Sequence, residues 1–203
     1  MVVRNCLVAE SHFEIGLIAV GRMVDAGHSV ALAAPNLDQQ SGDFGRLLRI
    51  QSDIASPAEV DDVFHAVERR MGVVDILFVR VARAVAGPLL ATADTEWDLL
   101  LDAGLGVPFR CIRRAVPGMA GRGWGRIVIM SSECGTFARN ATAGLVRSVA
   151  SELSGTGVTV NAVFSADAGD PACVVDVAEL LVHSPGISGE FLTVDSAGIR
   201  ATA

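Results

Sequence analysis

The segment Gly125-Arg-Ile-Val-Ile-Met-Ser-Ser132 is an apolar run that ends in two serines. Its length and composition predict a strand over Gly125–Ser131. Downstream, the pattern predicts a helix over Arg139–Ser154 and a second strand over Val158–Phe164. A strand, a helix and a strand in this order are typical of a βαβ unit, in which the two strands run parallel.

The same alternation extends over the rest of the chain. Further strands are predicted near Val2–Ala9, Ser29–Ala34, Leu47–Gln51, Asp75–Val81 and Glu190–Val194, and further helices near Ile15–Ala26, Pro57–Met71, Asp94–Met119 and Asp176–His183. Right-handed crossovers then give an α/β fold, a doubly wound parallel sheet of about seven strands with helices on both faces. We expect one domain over residues 1–203, with any ligand cleft at the carboxyl ends of the strands.

The composition limits the partners and the compartment. The chain has 23 acidic and 16 basic residues and a formal net charge of −7. This balance disfavours nucleic acid and anionic membranes as partners, because both require a basic surface. No apolar run has the roughly 18 residues of a membrane span, and no secretion signal is visible. The four cysteines lack metal-ligand spacing, so we expect no metal site and a cytoplasmic location.

A resemblance to a known family rests on several of these elements and their order. The stretches are Val74-Asp-Ile-Leu77, Gly125-Arg-Ile-Val-Ile-Met-Ser-Ser132, Arg147-Ser-Val-Ala-Ser-Glu-Leu153, Val158-Thr-Val-Asn-Ala-Val163 and Ile187-Ser-Gly-Glu-Phe-Leu-Thr-Val-Asp195. Through them the chain resembles the short-chain dehydrogenases/reductases nearly end to end. The resemblance implies a single Rossmann-like domain of an NAD(P)-dependent oxidoreductase. Compared with that family, the connection after Phe164 is short, which predicts a shortened lid.

The first turn departs from the family's phosphate-binding loop, Thr-Gly-x-x-x-Gly-Ile-Gly. The chain has Ala9-Glu10-Ser11-His12-Phe13-Glu14-Ile15-Gly16 there, so that Glu10 and Glu14 occupy two glycine positions. Carboxylates at those positions fill the space for a diphosphate and repel its charge. We therefore expect no dinucleotide and no other cofactor. The glutamates either cap and solvate the turn, or form an acid–base group with His12.

The catalytic set of the family is also altered. The chain contains no tyrosine, and all sixteen of its basic residues are arginine. The family uses asparagine, serine, tyrosine and lysine, and the resemblance assigns these roles to the positions of Gly104, Ser132, Gly135 and Arg139. Arginine does not exchange protons near neutral pH. Hydride transfer by the family mechanism is therefore predicted to be absent.

These observations favour an enzyme that needs no cofactor, namely a lyase, isomerase, dehydratase or cyclase. Its substrate is predicted to be a small, oxygenated, polyketide-like biosynthetic intermediate. A carboxylate or imidazole beside an arginine can remove a proton and stabilise the enolate that forms. The predicted catalytic residues are Glu10, His12, Glu14, Ser132 and Arg139, and the predicted substrate-binding residues are Phe13, Arg80 and Glu133.

Two alternatives remain open at the level of the sequence. The chain could be a catalytically silent subunit that pairs with an active member of the family, or a ligand-binding protein without turnover. The family forms oligomers through the helices predicted near residues 94–119 and 139–154. We therefore expect a homodimer or homotetramer through these helices, or a hetero-oligomer with an active member. Leu100 and Ile112 are the predicted interface residues.

Overall fold

The sheet of this protein has nine strands in the described parts of the chain. The structure, a computed structural model, describes residues 2–9, 14–37, 43–81, 89–131, 135–166, 170–195 and 198–201. The strands are Asn5–Ala9 (β1), Ser29–Ala34 (β2), Asp43–Phe44 (β3), Leu47–Gln51 (β4), Ile76–Arg80 (β5), Gly125–Ser131 (β6), Val158–Ser165 (β7), Phe191–Asp195 (β8) and Gly198–Ala201 (β9). Their order in the sheet is β3-β4-β2-β1-β5-β6-β7-β8-β9. The pairs from β4 to β8 are parallel, and β3 and β9 join the two edges as antiparallel strands.

Helices cover both faces of the sheet. They are Glu14–Asp25 (α1), Pro57–Met71 (α2), Asp94–Leu101 (α3), Val107–Gly121 (α4), Thr136–Glu152 (α5) and Pro171–Val182 (α6), with a π-helical turn over Asp102–Gly106 between α3 and α4. One hydrophobic core lies under α1 and α6, and the other lies under α2, α4 and α5. Strand β1 supplies both cores, because successive side chains of a strand point to opposite faces. Cys6 and Val8 lie in the first core, and Leu7 and Ala9 lie in the second.

Local sequence signals explain where several elements begin and end. Helix α2 starts at a capping box, in which the Ser56 hydroxyl accepts from the Glu59 N–H and the Glu59 carboxylate accepts from the Ser56 N–H. Pro57 occupies its first turn, where no N–H is needed. The central strands β6 and β7 are buried at every residue, as expected for parallel strands covered on both faces.

The predicted fold class is confirmed, and the following details differ from the prediction. The sheet has nine described strands, because the two antiparallel edge strands are too short to form an apolar run. The helix predicted over Asp94–Met119 is interrupted by the π-helical turn. Helix α6 begins already at Pro171, behind an Asp170 carboxylate that accepts from the Ala172 N–H at 2.9 Å. Residues 166–170 alone therefore connect β7 to α6.

Leu100 and Ile112 are core residues, contrary to their predicted place at an interface. They are only 6% and 3% exposed. Leu100 lies in α3 and Ile112 lies in α4, and the π-helical turn between these helices changes the helical register. The side chains on their outer surface therefore differ from those that one uninterrupted helix would present. None of the described helices combines the length and the apolarity that a membrane crossing requires.

Candidate functional site

The carboxyl ends of the parallel strands form one edge of the sheet. After β1 the chain crosses to β2 on one side, whereas β5 lies on the other side of β1. A cleft at such a reversal of direction is the usual ligand site of doubly wound folds. The residues that end the strands here are Ala9, Arg80, Ser131 and Ser165, and helices α1 and α5 begin at the same edge.

Arg139 lies in the first turn of α5 and bridges two strand ends. Its Nη1 donates a hydrogen bond to the carbonyl oxygen of Ser165 at 2.7 Å, and its Nη2 donates one to the hydroxyl of Thr193 at 2.8 Å. Its guanidinium carbon lies 5.8 Å from the centre of the Phe191 ring. The side chain therefore ties α5 to the carboxyl ends of β7 and β8. A proton-transfer role would need an acceptor or a readily released proton, and a guanidinium provides neither.

Glu14 and Arg80 are the other predicted site residues that the structure describes. Glu14 is the first residue of α1 and is exposed. The partial positive charge of the helix N-terminus favours a carboxylate there. Arg80 ends β5 and is half-buried. Both residues lie at the carboxyl edge, as predicted, on elements different from the one that carries Arg139.

The remaining predicted site residues lie outside the described part of the chain. They are Glu10, His12, Phe13, Ser132 and Glu133. Ser131, which directly precedes Ser132, is buried, and its hydroxyl donates to the Val81 carbonyl oxygen at 3.4 Å. The grouping of the five undescribed residues with Glu14, Arg80 and Arg139 therefore stays a prediction.

The π-helical turn is a feature of this edge that the sequence analysis missed. It contains Gly104, the position assigned to the family's asparagine, which is buried against α5. A Cβ atom at Gly104 would lie 3.8 Å from the Cβ atom of Ala138. Beside it, Arg110 forms two hydrogen bonds with the Asp102 carboxylate, at 2.7 and 3.2 Å, across the turn. The signal in the sequence was the pair of glycines, Gly104 and Gly106, inside an otherwise helical run.

Groups with displaced pKa values lie away from the carboxyl edge. Burial raises the pKa of the Cys6 thiol in β1. A hydrogen bond from Arg114 to Glu68 raises the pKa of that guanidinium on α4, and burial lowers the pKa of Arg126 at the start of β6. Burial also lowers the pKa of His28, which precedes β2. These displacements come from packing and ion pairing and do not mark a catalytic group.

A cleft of about 800 Å³ lies at the opposite end of the sheet, beside the start of β7. Arg147, Ser151, Thr159 and Glu190 are among its lining residues. Ligand sites of doubly wound folds lie at the carboxyl ends of the strands, so its position argues against a role as the principal site.

Comparison with known proteins decides the family. Residues 12–172 match the family described as enoyl-(acyl carrier protein) reductase. The chain belongs to the short-chain dehydrogenase/reductase family. It is 28% identical over 179 residues to D-beta-hydroxybutyrate dehydrogenase of Rhizobium meliloti, covering 79% of this chain and 69% of that protein. It is 30% identical over 177 residues to (2S)-[(R)-hydroxy(phenyl)methyl]succinyl-CoA dehydrogenase subunit BbsC of Thauera aromatica, covering 79% and 71%.

A solved structure supports the fold. The crystal structure of a short chain dehydrogenase from Leptospira borgpetersenii with bound NAD+ superimposes with a TM-score of 0.83. The match covers 95% of this chain and 91% of the other, at 17% sequence identity. At that identity, the likeness shows the shared architecture alone.

The prediction of a lyase, isomerase, dehydratase or cyclase without a cofactor is wrong. The family is described as a reductase, and the relatives are named as dehydrogenases. They indicate NAD(P)-dependent oxidation and reduction, which the sequence analysis had excluded for this chain.

The described residues retain the frame of an NAD(P) site. Strand β1, helix α1 and strand β2 form the expected βαβ unit, and Gly16 is buried in α1. The loop that would contact a diphosphate, residues 10–13, lies outside the described residues, and the carboxylate of Glu14 that follows it is exposed. In this family NAD(P) supplies or accepts the hydride.

Proposed function

We propose that this chain takes part in NAD(P)-dependent oxidation and reduction as a non-catalytic subunit of a hetero-oligomer. Its partner is an active member of the same family, which contributes the tyrosine and lysine for proton transfer. The observation that carries the proposal is the absence of both residue types from all 203 residues. In this view the chain is a degenerate member of its family that keeps the fold without the Tyr-x-x-x-Lys and glycine-rich motifs.

The relatives support both the reaction and the subunit role. One relative is named a dehydrogenase subunit, and its substrate is a substituted succinyl-CoA. Another is named for hydroxybutyrate. We therefore propose a 3-hydroxyacyl or 3-oxoacyl compound as the small-molecule substrate of the assembly. We place the assembly in the cytoplasm, consistent with the buried thiols of Cys6 and Cys111.

The contacts of Arg139 support a structural role at the former lysine position. Its two guanidinium nitrogens reach two acceptors on different strands, Ser165 and Thr193. The planar fork of a guanidinium can make both bonds at once, whereas the single ammonium of a lysine is a point charge. The Arg139 guanidinium thus fastens the first turn of α5 to the sheet, and it exchanges no proton near neutral pH.

The outer surfaces of α4 and α5 support the docking of a partner. Cys111, Ala115 and Met119 bury one side of α4 in the core, as Ala138 and Val146 do for α5. On the outside, Phe109 of α4 is 46% exposed, and the Arg113 guanidinium lies 5.5 Å from its ring centre. Gly144 and Ser148 on α5 are exposed and small. Aromatic and arginine side chains are enriched in protein interfaces, and we propose this surface as the contact with the active subunit.

Native mass spectrometry of the tagged chain, purified from its own source, tests the proposal. We expect a stoichiometric complex with a family member that contains the tyrosine and lysine. The complex should reduce acetoacetyl-CoA with NADPH or NADH, and the isolated chain should not. Replacing the partner's tyrosine with phenylalanine should abolish turnover.

A matched pair of variants tests the docking surface. Phe109→Asp should prevent the complex, because a carboxylate would be buried in the interface. Leu17→Asp is the control, since Leu17 is 56% exposed on α1, on the other face of the sheet. Turnover by the isolated chain, or an assembly containing only copies of this chain, would contradict the proposal.

A further inference from the structure

His28 joins the segment before β1 to the start of β2. The side chain is only 3% exposed, and its Nδ1 accepts a hydrogen bond from the backbone N–H of Arg4 at 3.2 Å. Next to this bond, the Ser29 N–H donates to the Arg4 carbonyl oxygen at 3.0 Å. The first residue pair of the β1–β2 ladder, Asn5 with Ser29, follows directly. The imidazole therefore extends the ladder by one bond beyond the strands.

We propose that His28 is an acid-sensitive latch, and that its protonation releases the segment before β1 from the start of β2. The observed bond requires an unprotonated Nδ1, which places the proton of the neutral ring on Nε2. Protonation adds an N–H at Nδ1, which then points at the N–H of Arg4. Two donors face each other, and the bond is lost.

The surroundings of His28 favour its neutral form. The charged groups around it are Arg4 before β1, Arg46 in the turn before β4, and His183 and Glu179 of the α6 end. Glu179 is the carboxylate among them, and it lies 3.9 Å from Arg22, a cation of α1. Arg46 also donates to the carbonyl oxygen of Gly27, directly before the histidine. The positive charge of a protonated His28 would therefore be buried close to the positive charges of Arg4 and Arg46.

The direction of the pH effect follows from these surroundings. Burial, with the charges of His183 and Arg4, lowers the pKa of His28 from its ordinary value of 6.5. The open segment consequently binds the proton more tightly than the closed one. The stabilisation of the closed segment by this bond is fully present above pH 6.5 and is lost as the pH falls from there toward the lowered pKa. Over that interval the opening constant rises by up to about tenfold per pH unit.

Amide hydrogen exchange of the full chain, measured by NMR between about pH 7.5 and 5, tests the latch. After correction for intrinsic rates, the Arg4 and Ser29 amides should open more as the pH falls. His28→Asn should remove this dependence, because an amide oxygen can accept the same bond and does not titrate. His183→Asn and His65→Asn are the controls, and both should keep the dependence; His65 is exposed on α2.

The contrary results are equally specific. An unchanged pH dependence in His28→Asn, or its loss in His183→Asn, would overturn the proposal. The wild-type ring provides a second measurement that does not depend on how any variant folds. Its nitrogen chemical shifts at neutral pH should show a bare Nδ1, and a proton on Nδ1 would refute the latch.

Discussion

Arg139 is the residue that the family resemblance assigns to the position of the catalytic lysine. The two hydrogen bonds of Arg139 connect α5 with the ends of β7 and β8. These bonds give Arg139 a structural role, in line with the proposed loss of proton transfer at this position. The type of residue could be read from the sequence, but its partners could not. Ser165 and Thr193 are distant from it in sequence and become neighbours only through the packing of β7 and β8.

Replacing Arg139 should test this structural role. Arg139→Ala should lower the free energy of unfolding by about 1.5–3 kcal/mol, the range for hydrogen bonds to charged groups. Arg139→Lys should lose roughly half as much, because one ammonium replaces two donors in a fixed fork. Urea unfolding of both variants measures the difference, with Arg69→Ala on the exposed end of α2 as the control. Equal stability of Arg139→Ala and the wild type would show that the bridge contributes nothing.

At the scale of the elements, buried strands were the most predictable features. The bounds of β2, β4 and β6 agree with the prediction to the residue, because each is a short apolar run bounded by polar or turn residues. The interruption between α3 and α4 could not be predicted in the same way. The two glycines permit the π-helical turn, but the contact of Gly104 with Ala138 on α5 is a tertiary one. Local periodicity does not contain that information.

The turns before β6 and β7 meet backbone to backbone, and this contact gives a prediction. A Cβ atom at Gly157 would collide with the carbonyl oxygen of Gly123 and lie 2.8 Å from its carbonyl carbon. Gly157→Ala should therefore destabilise the fold by about 2–4 kcal/mol, from overpacking and from its φ of +79°. Gly155→Ala is a matched control, since Gly155 has the same φ and open space around its Cβ.

The Gly155→Ala variant should lose only about 1 kcal/mol of stability, because its positive φ strains the backbone and no neighbouring atom is in the way. The difference between the two midpoints of thermal unfolding then isolates the contact between the turns. If both variants lose the same stability, the collision is relieved by a small movement, and the two turns are not held against each other.

At the scale of the whole molecule, the two edges of the sheet differ in construction. The amino edge is fastened by buried polar side chains. The Asp75 carboxylate accepts from the Asn5 N–H at 3.1 Å and from Arg122 at 2.9 Å, and Arg126 donates to the carbonyl oxygens of Val182 and Gly157. The carboxyl edge carries the Arg139 bridge and the predicted site residues Glu14 and Arg80. These amino-edge contacts involve none of the predicted site residues, so they can hold the fold when those residues change.

This separation explains the unequal success of the sequence analysis. The doubly wound sheet follows from apolar runs that the chain retains in full. The function was misjudged because the residues at Gly135 and Arg139 were interpreted as signs of a different reaction, whereas the relatives are named as dehydrogenases. In the proposed assembly the tyrosine and lysine belong to a second sequence, so this chain alone could not predict them.

The buried polar contacts at the amino edge should accordingly contribute strongly to stability. Asn161 is completely buried in β7, and it donates from Nδ2 to the Ile187 carbonyl oxygen at 2.9 Å and accepts at Oδ1 from the Glu190 N–H at 3.0 Å. These bonds hold the loop that leads into β8. Asn161→Ala removes both and leaves two backbone groups without this partner, which should cost about 2–4 kcal/mol in urea unfolding. Asn140→Ala, at an exposed position of α5, should cost almost nothing. A loss no larger than that of the control would show that water replaces the side chain and that stability is not concentrated at this edge.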